Sequence, residues 1–280
     1  MNNEKIPSKK LNVKMIALDL DDTLLNSELT ITEDTVLALQ NAAKRGIYII
    51  PCSGRADSAI LPFVRKLDTA GSEFGRYIIA MNGSSIFDLH KRVQIYENHV
   101  DGALLKEIYL EAKKRNLPSQ VYDSDTIYAS EDNKWTQVDA SLCKLKLSFV
   151  DDFAQFVLKG YSKMVIPGDP DELQKFQSFL KETIGDRAVI FTSKPYFLEI
   201  MPPNAGKGEA LEWLSSQLNI PISQTMAFGD SMNDESMIIK AGYGVAMSNG
   251  IDYIKKIADF ITRKSNQEDG IADFVDNFVL

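Results

Sequence analysis

Two aspartates one residue apart, Asp19 and Asp21, close a short apolar run, and Asp22 and Thr23 follow at once. Residues 13–18 read as a buried strand, preceded by the polar pair Lys9 and Lys10. In an open parallel sheet, ligands bind at the carboxyl ends of the strands. Two carboxylates so placed repel each other and call for a cation or a proton between them. A hard divalent ion suits oxygen donors, and Mg²⁺ tends to keep phosphate oxygens in its shell. A solvated acidic loop carries the same letters, so this tetrad alone only raises the question of chemistry.

Three further patches follow strand signals. Ser53-Gly54-Arg55 comes after residues 47–51, and a hydroxyl beside a glycine offers a phosphate oxygen an O–H and a close backbone N–H. Gly206-Lys207-Gly208 opens a helix, which sets an ammonium among free N–H groups. It is no P-loop, because Met201 and Gly208 stand where that pattern needs glycine and a hydroxyl residue. Gly229 to Asp234 follows residues 225–228 and brings Asp230, Asn233 and Asp234. Taken singly, these patches also fit a turn, a helix start and an N-cap by Asp230 or Ser231. Taken in order, acid pair, hydroxyl, ammonium and second acid cluster are the parts that move a phosphoryl group. One carboxylate is left free to attack phosphorus.

The elements that must hold these groups alternate. A helix over residues 32–45, with Thr32 as its cap and Val36, Leu37, Leu39, Ala42 and Ala43 as its apolar face, ends at Gly46. Strands at 47–51 and 77–81 flank another helix, which implies βαβ units in a doubly wound parallel sheet of Rossmann-like α/β type. From residue 86 the grain changes to hairpins at 86–96 and 121–128, then helices at 104–115, 153–158 and 173–183 with strands between them. From residue 207 the first grain returns. The expected organisation is a core of residues 1–85 and 203–280 with an inserted α+β module over 86–202.

Composition bounds the partners. A formal net charge of −8 removes the basic field that nucleic acid or an anionic membrane would need. No stretch is apolar for long enough to span a bilayer, and residues 1–12 lack the apolar centre of a secretory signal. Cys52 and Cys143 offer neither a disulfide framework nor a metal pair, which fits a reducing cytoplasm. A monomer or a small homo-oligomer fits equally well.

At its four patches the chain resembles the haloacid dehalogenase superfamily of phosphohydrolases, within it the Cof-like sugar-phosphatase branch with a type IIB cap. Met81-Asn82-Gly83, Leu198 to Met201 and Asp269 to Ala272 add to the resemblance, and Asp22 departs from a position where many members carry glycine. The resemblance implies Asp19 as nucleophile and Mg²⁺ ligand. It implies Asp21 as general acid–base, with its backbone carbonyl on the metal, and Asp230 as third metal ligand. Phosphate would be held by the Leu20 and Gly54 backbone, Ser53, Lys207 and Asn233, while Asp234 orients the metal's waters or Lys207. The inserted module would be the cap. Of its residues, Tyr122, Tyr128, Trp135 and Arg115 fit packing better than a pocket. The implied substrates are small phosphomonoesters, either sugar phosphates or phosphorylated cofactors such as pyridoxal phosphate or FMN. Phosphoryl transfer to another hydroxyl, as in a phosphomutase, and a non-catalytic phosphate-sensing regulator are alternative readings. A receiver-type module wants its phospho-accepting Asp at a later strand, where Met81 and Asn82 stand.

Overall fold

The computed structural model describes residues 5–123 and 125–280, so the first four residues of the polar N-terminal stretch lie outside it. In chain order the first strands and helices are β1 (Met15–Asp19), α1 (Glu33–Lys44), β2 (Tyr48–Cys52), α2 (Asp57–Leu67), β3 (Tyr77–Ala80), β4 (Ser85–Asp88) and β5 (Val93–Glu97). Then come α3 (Gly102–Lys113), β6 (Gln120–Tyr122), β7 (Thr126–Ala129), α4 (Lys134–Cys143), β8 (Lys146–Phe149) and α5 (Phe153–Phe156). They are followed by β9 (Met164–Pro167), α6 (Pro170–Ile184), β10 (Val189–Lys194) and β11 (Phe197–Met201). The last group is α7 (Lys207–Gln217), β12 (Thr225–Gly229), α8 (Glu235–Lys240), β13 (Tyr243–Ala246), α9 (Asp252–Ile257), β14 (Phe260–Ile261) and α10 (Gly270–Phe278). Among the described residues no helix is long and apolar enough to cross a membrane.

Two compact units divide these elements. One takes the chain through Gly54, Ile60–Ile95 and Gly206–Leu280; the other takes Arg55–Ala59 and Tyr96–Ala205.

The first unit is built on an eight-stranded sheet in the order β14-β13-β12-β1-β2-β3-β4-β5. The six strands from β14 to β3 run parallel. From β1 the chain winds one way to β2 and β3, and from β12 the other way to β13 and β14. Right-handed crossovers therefore put helices on both faces, and the winding reverses between β1 and β12. All five residues of β1 are buried, as both covered faces of a central parallel strand require. In α1, Glu33 and Asp34 open the helix and Lys44 closes it, in accord with its dipole. Thr32 occupies the N-cap, but its hydroxyl does not close the cap. Leu37, expected on the apolar face, is exposed. Gly46 ends the helix at φ +82°, a left-handed conformation that glycine adopts without strain.

The sequence pattern puts the 86–96 hairpin in the inserted module, and the structure corrects this. β4 pairs antiparallel with β3, Tyr77 opposite Asp88 and Ala80 opposite Ser85, so the hairpin forms the edge of the first sheet. The second unit's main segment therefore starts at Tyr96 rather than residue 86, and it ends at Ala205. A two-stranded ribbon reads alike in either sheet, so alternation could not assign it.

Asp88 fixes that edge. Its carboxylate accepts Arg76 Nε at 2.9 Å and Nη2 at 2.7 Å, together with the N–H groups of His90 and Lys91. The Arg76 fork holds this buried carboxyl down at about 2. A folded-state value below the unfolded one, about 3.9, stabilises the fold above pH 4, and the contribution is lost as pH falls through 2. We expect Asp88→Asn to remove about 2 kcal/mol at neutral pH and to flatten the acid limb of stability between pH 4 and 2. Thermal melts against pH check this: parallel curves for the two proteins would deny Asp88 the role.

The second unit has a six-stranded sheet in the order β10-β11-β9-β6-β7-β8, antiparallel apart from β7 and β8. Val121, Met164, Ile166, Leu198 and Ile200 alternate onto one face, where they form a core with Leu105, Ile108, Phe153 and Phe176 of the helices. The alternate residues Gln120, Tyr122, Lys163 and Glu199 are buried too, and Asp139 of α4 joins them. Tyr122 Oη and Gln120 Nε2 both donate to Asp139, and Lys163 lies 3.5 Å from Glu199. The sequence pattern gives no helix at α4 because its buried side is Thr136 and Asp139, not an apolar stripe. Asn133 starts it, accepting the N–H groups of Trp135 and Thr136 at 2.9 and 2.7 Å. Trp135 stacks on Tyr196, Tyr128 packs against Phe156, and Arg115 lies over the Phe179 ring.

Candidate active site

At the carboxyl end of β1 the chain enters a single wide turn, Leu20–Leu24, closed by the Leu25 N–H donating to the Leu20 carbonyl at 2.8 Å. Leu20 is fully buried, Asp21 is extended and half-buried, and Asp22 takes φ +60°. Aspartate is one of the few side chains that tolerate this left-handed backbone, which accounts for an acid where glycine would serve. Asn249 Nδ2 donates to the Asp22 carbonyl and Asn266 Nδ2 to that of Leu25, each at 2.8 Å, so two distant amides pin the turn.

At the end of β12, Gly229 lets the Asp234 side chain approach: a Cβ on residue 229 would lie 2.5 Å from that of Asp234. Ser231 and Asp234 form a reciprocal cap, so the capping expected of this loop falls to Ser231. Asp234 Oδ2 accepts the N–H groups of Asp230 and Ser231 at 2.9 and 3.1 Å. Its Oδ1 accepts Lys207 Nζ at 2.6 Å, and the same ammonium donates to Asp19. Lys207 is the first residue of α7 and is completely buried. Asp230 in turn accepts the Thr23 hydroxyl at 2.8 Å, a bond that ties the two strand ends together.

Asp19, Asp230 and Asp234 thus present oxygens all within 4.8 Å of one another. Burial, reinforced by Asp234, drives the Asp19 carboxyl well above its usual range against the pull of Lys207. Burial and Asp234 push Asp230 up to about 7, while the Thr23 bond resists. Burial disfavours the Lys207 charge, yet Asp19 and Asp234 outweigh it and hold the ammonium protonated. One ammonium among three carboxylates leaves negative charge uncompensated, and an all-oxygen donor set suits a hard divalent cation. Asp234 has both oxygens engaged by Lys207 and backbone N–H groups, so Asp19 and Asp230 are the carboxylates that could hold such an ion.

The other expected residues lie in the same unit. Ser53 follows β2 and is buried; its N–H donates to the Ile79 carbonyl at 2.9 Å. Asn233 accepts the Ser231 hydroxyl at 2.7 Å and donates to Asn82 Oδ1 at 3.3 Å. Asn249 and Asn266 were not singled out for the site, since isolated amides in loops look like turn formers.

A family model described as haloacid dehalogenase-like hydrolase matches residues 16–275. The chain belongs to this family. Phosphatase YwpJ of Bacillus subtilis is 29% identical, with 93% of this chain and 98% of the relative covered. The 5-amino-6-(5-phospho-D-ribitylamino)uracil phosphatase YwtE of the same organism is 31% identical over 95% of this chain and 98% of its own. A crystal structure of a haloacid dehalogenase-like hydrolase from Bacteroides thetaiotaomicron superposes with a TM-score of 0.84 at 32% identity, covering 94% of this chain and 98% of that one. Within the haloacid dehalogenase-like family, this chain carries Asp19, Ser53 and Asp230 at or just after the ends of β1, β2 and β12, and Lys207 at the start of α7.

Proposed function

We propose that the protein is a Mg²⁺-dependent phosphatase that hydrolyses small phosphomonoesters through an aspartyl-phosphate on Asp19. The observation that carries this reading is the Lys207 ammonium, buried between Asp19 and Asp234 and beside Asp230 at the point where the sheet reverses. Asp19, Asp230 and the Asp21 carbonyl would hold the metal, which supplies charge neutralisation for the phosphoryl oxygens.

The Asp19 carboxylate attacks phosphorus while the P–O bond to the alcohol breaks, and Asp21 donates a proton to the departing oxygen. Asp21 then takes a proton from water as that water attacks the acyl-phosphate, which releases phosphate and regenerates Asp19. Ser53, Lys207, Asn233 and the backbone at Leu20 and Gly54 bind the phosphoryl oxygens. Asp234 holds the Lys207 ammonium in line. Removing the metal leaves like charges on Asp19 and Asp230 facing the phosphate dianion.

The inserted unit would select the alcohol, as a cap does. The substrates in view are sugar phosphates or a phosphorylated cofactor such as pyridoxal phosphate or FMN.

Phosphate release from para-nitrophenyl phosphate, measured with Mg²⁺ and after EDTA, tests the proposal. Turnover should fall by at least about 100-fold on chelation and return with added Mg²⁺. Equal rates with and without metal would end it.

A further inference from the structure

We propose that the Met81–Asn82–Gly83 turn is a positioning element that sets the spacing of three phosphate-binding arms, with the Asn82 amide as its acting group. The inference rests on the reading of Ser53, Lys207 and Asn233 as phosphate ligands.

Three successive residues here have positive φ: Met81 at +50°, Asn82 at +51° and Gly83 at +93°. A left-handed methionine and asparagine are strained, and they persist only where their surroundings over-determine them. Each arm meets the turn at a specific atom. The Asn82 N–H donates to the Ser53 carbonyl at 3.0 Å, and the Asn82 side-chain amide lies beside Gly54. A Cβ on residue 54 would come within 2.8 Å of Asn82 Oδ1, which explains why this arm ends in glycine. The same Oδ1 accepts Asn233 Nδ2, the second arm. Gly83 abuts the third: a Cβ there would stand 2.0 Å from the Gly206 carbonyl, one residue before Lys207. A buried amide therefore bridges two arms while the next residue braces the third. Arms for a phosphoryl group must hold their mutual distances closely, since a displacement of about 1 Å costs on the order of 100-fold.

Asn82→Gly isolates the amide, because glycine keeps the left-handed backbone and removes only the side chain. Inorganic phosphate is the probe, titrated calorimetrically into the protein at saturating Mg²⁺, with Mg²⁺ affinity and melting temperature measured alongside. Asn82→Gly should weaken phosphate binding about tenfold and raise KM for para-nitrophenyl phosphate to match, with Mg²⁺ affinity unchanged. Wild-type phosphate affinity in Asn82→Gly would reduce the residue to a turn former and overturn the inference. A parallel loss of phosphate, Mg²⁺ and thermal stability would overturn it also, as plain structural damage. If the wild-type protein binds phosphate but turns nothing over, and the variant still binds it more weakly, the phosphatase reading falls and this one stands. A wild-type protein that binds no phosphate removes both.

Discussion

Asparagine at position 19 is expected to lower phosphate release by 10⁴-fold or more, the scale on which loss of a covalent nucleophile is felt, roughly 10⁴ to 10⁶. The amide oxygen can still accept from Lys207, but it cannot bond to phosphorus. The fold should tolerate the change well. Burial drives Asp19 well above its usual range, so its charge is held against the structure's own preference. With residue 19 neutral, Lys207 keeps Asp234 as a partner at 2.6 Å and no buried ion is orphaned. Steady-state turnover and a thermal melt on one preparation decide the matter. A variant that melts like the wild type and still hydrolyses esters would remove Asp19 as nucleophile.

Lys207→Met should do the reverse, damaging both fold and activity. Methionine matches the length of the stem without the charge, and it leaves Asp19 and Asp234 facing each other with no cation between them. Stripping one partner from a buried ion pair costs about 3–5 kcal/mol, or roughly 10 °C in a protein of this size. The sign with pH is definite. Without the ammonium, which opposes the effect of burial, Asp19 gains a proton still more readily in the folded chain than in the unfolded one. The variant is therefore least handicapped near pH 4 and loses ground as pH rises through the raised folded values. Catalysis should drop by a further factor of about 100 to 1000 once an oxyanion partner is gone. Melting curves at pH 5 and 8 provide the check, and a deficit independent of pH would place the cost elsewhere.

Much of the candidate site was legible because three of its strands, β1, β2 and β12, are apolar runs broken abruptly by polar residues. Asp19, Ser53 and Asp230 stand at such breaks, and a helix start fixed Lys207. Chain order then supplied the sheet. Thr23 and Asn82 were named with their motifs, but the bonds they make were hidden, because these depend on backbone conformation and on partners far along the chain. Asn249 and Asn266 act on carbonyls of the turn after Asp19, which no residue pattern records. The sheet to which the 86–96 hairpin belongs, and helix α4, escaped for the same kind of reason. The first has no preference between two sheets, and the second buries polar groups where periodicity expects apolar ones.

The placement of β1 has a consequence for synthesis. Its neighbour β12 lies so far downstream that Thr23 and Asp230, which bond to each other, are 207 residues apart. While a ribosome is making the whole inserted unit, one side of an entirely apolar-lined strand, Met15 to Leu18, has no native partner. Such an open ladder is a template for pairing with other nascent chains. Completion of the hydrolase core is thus postponed to the final quarter of translation.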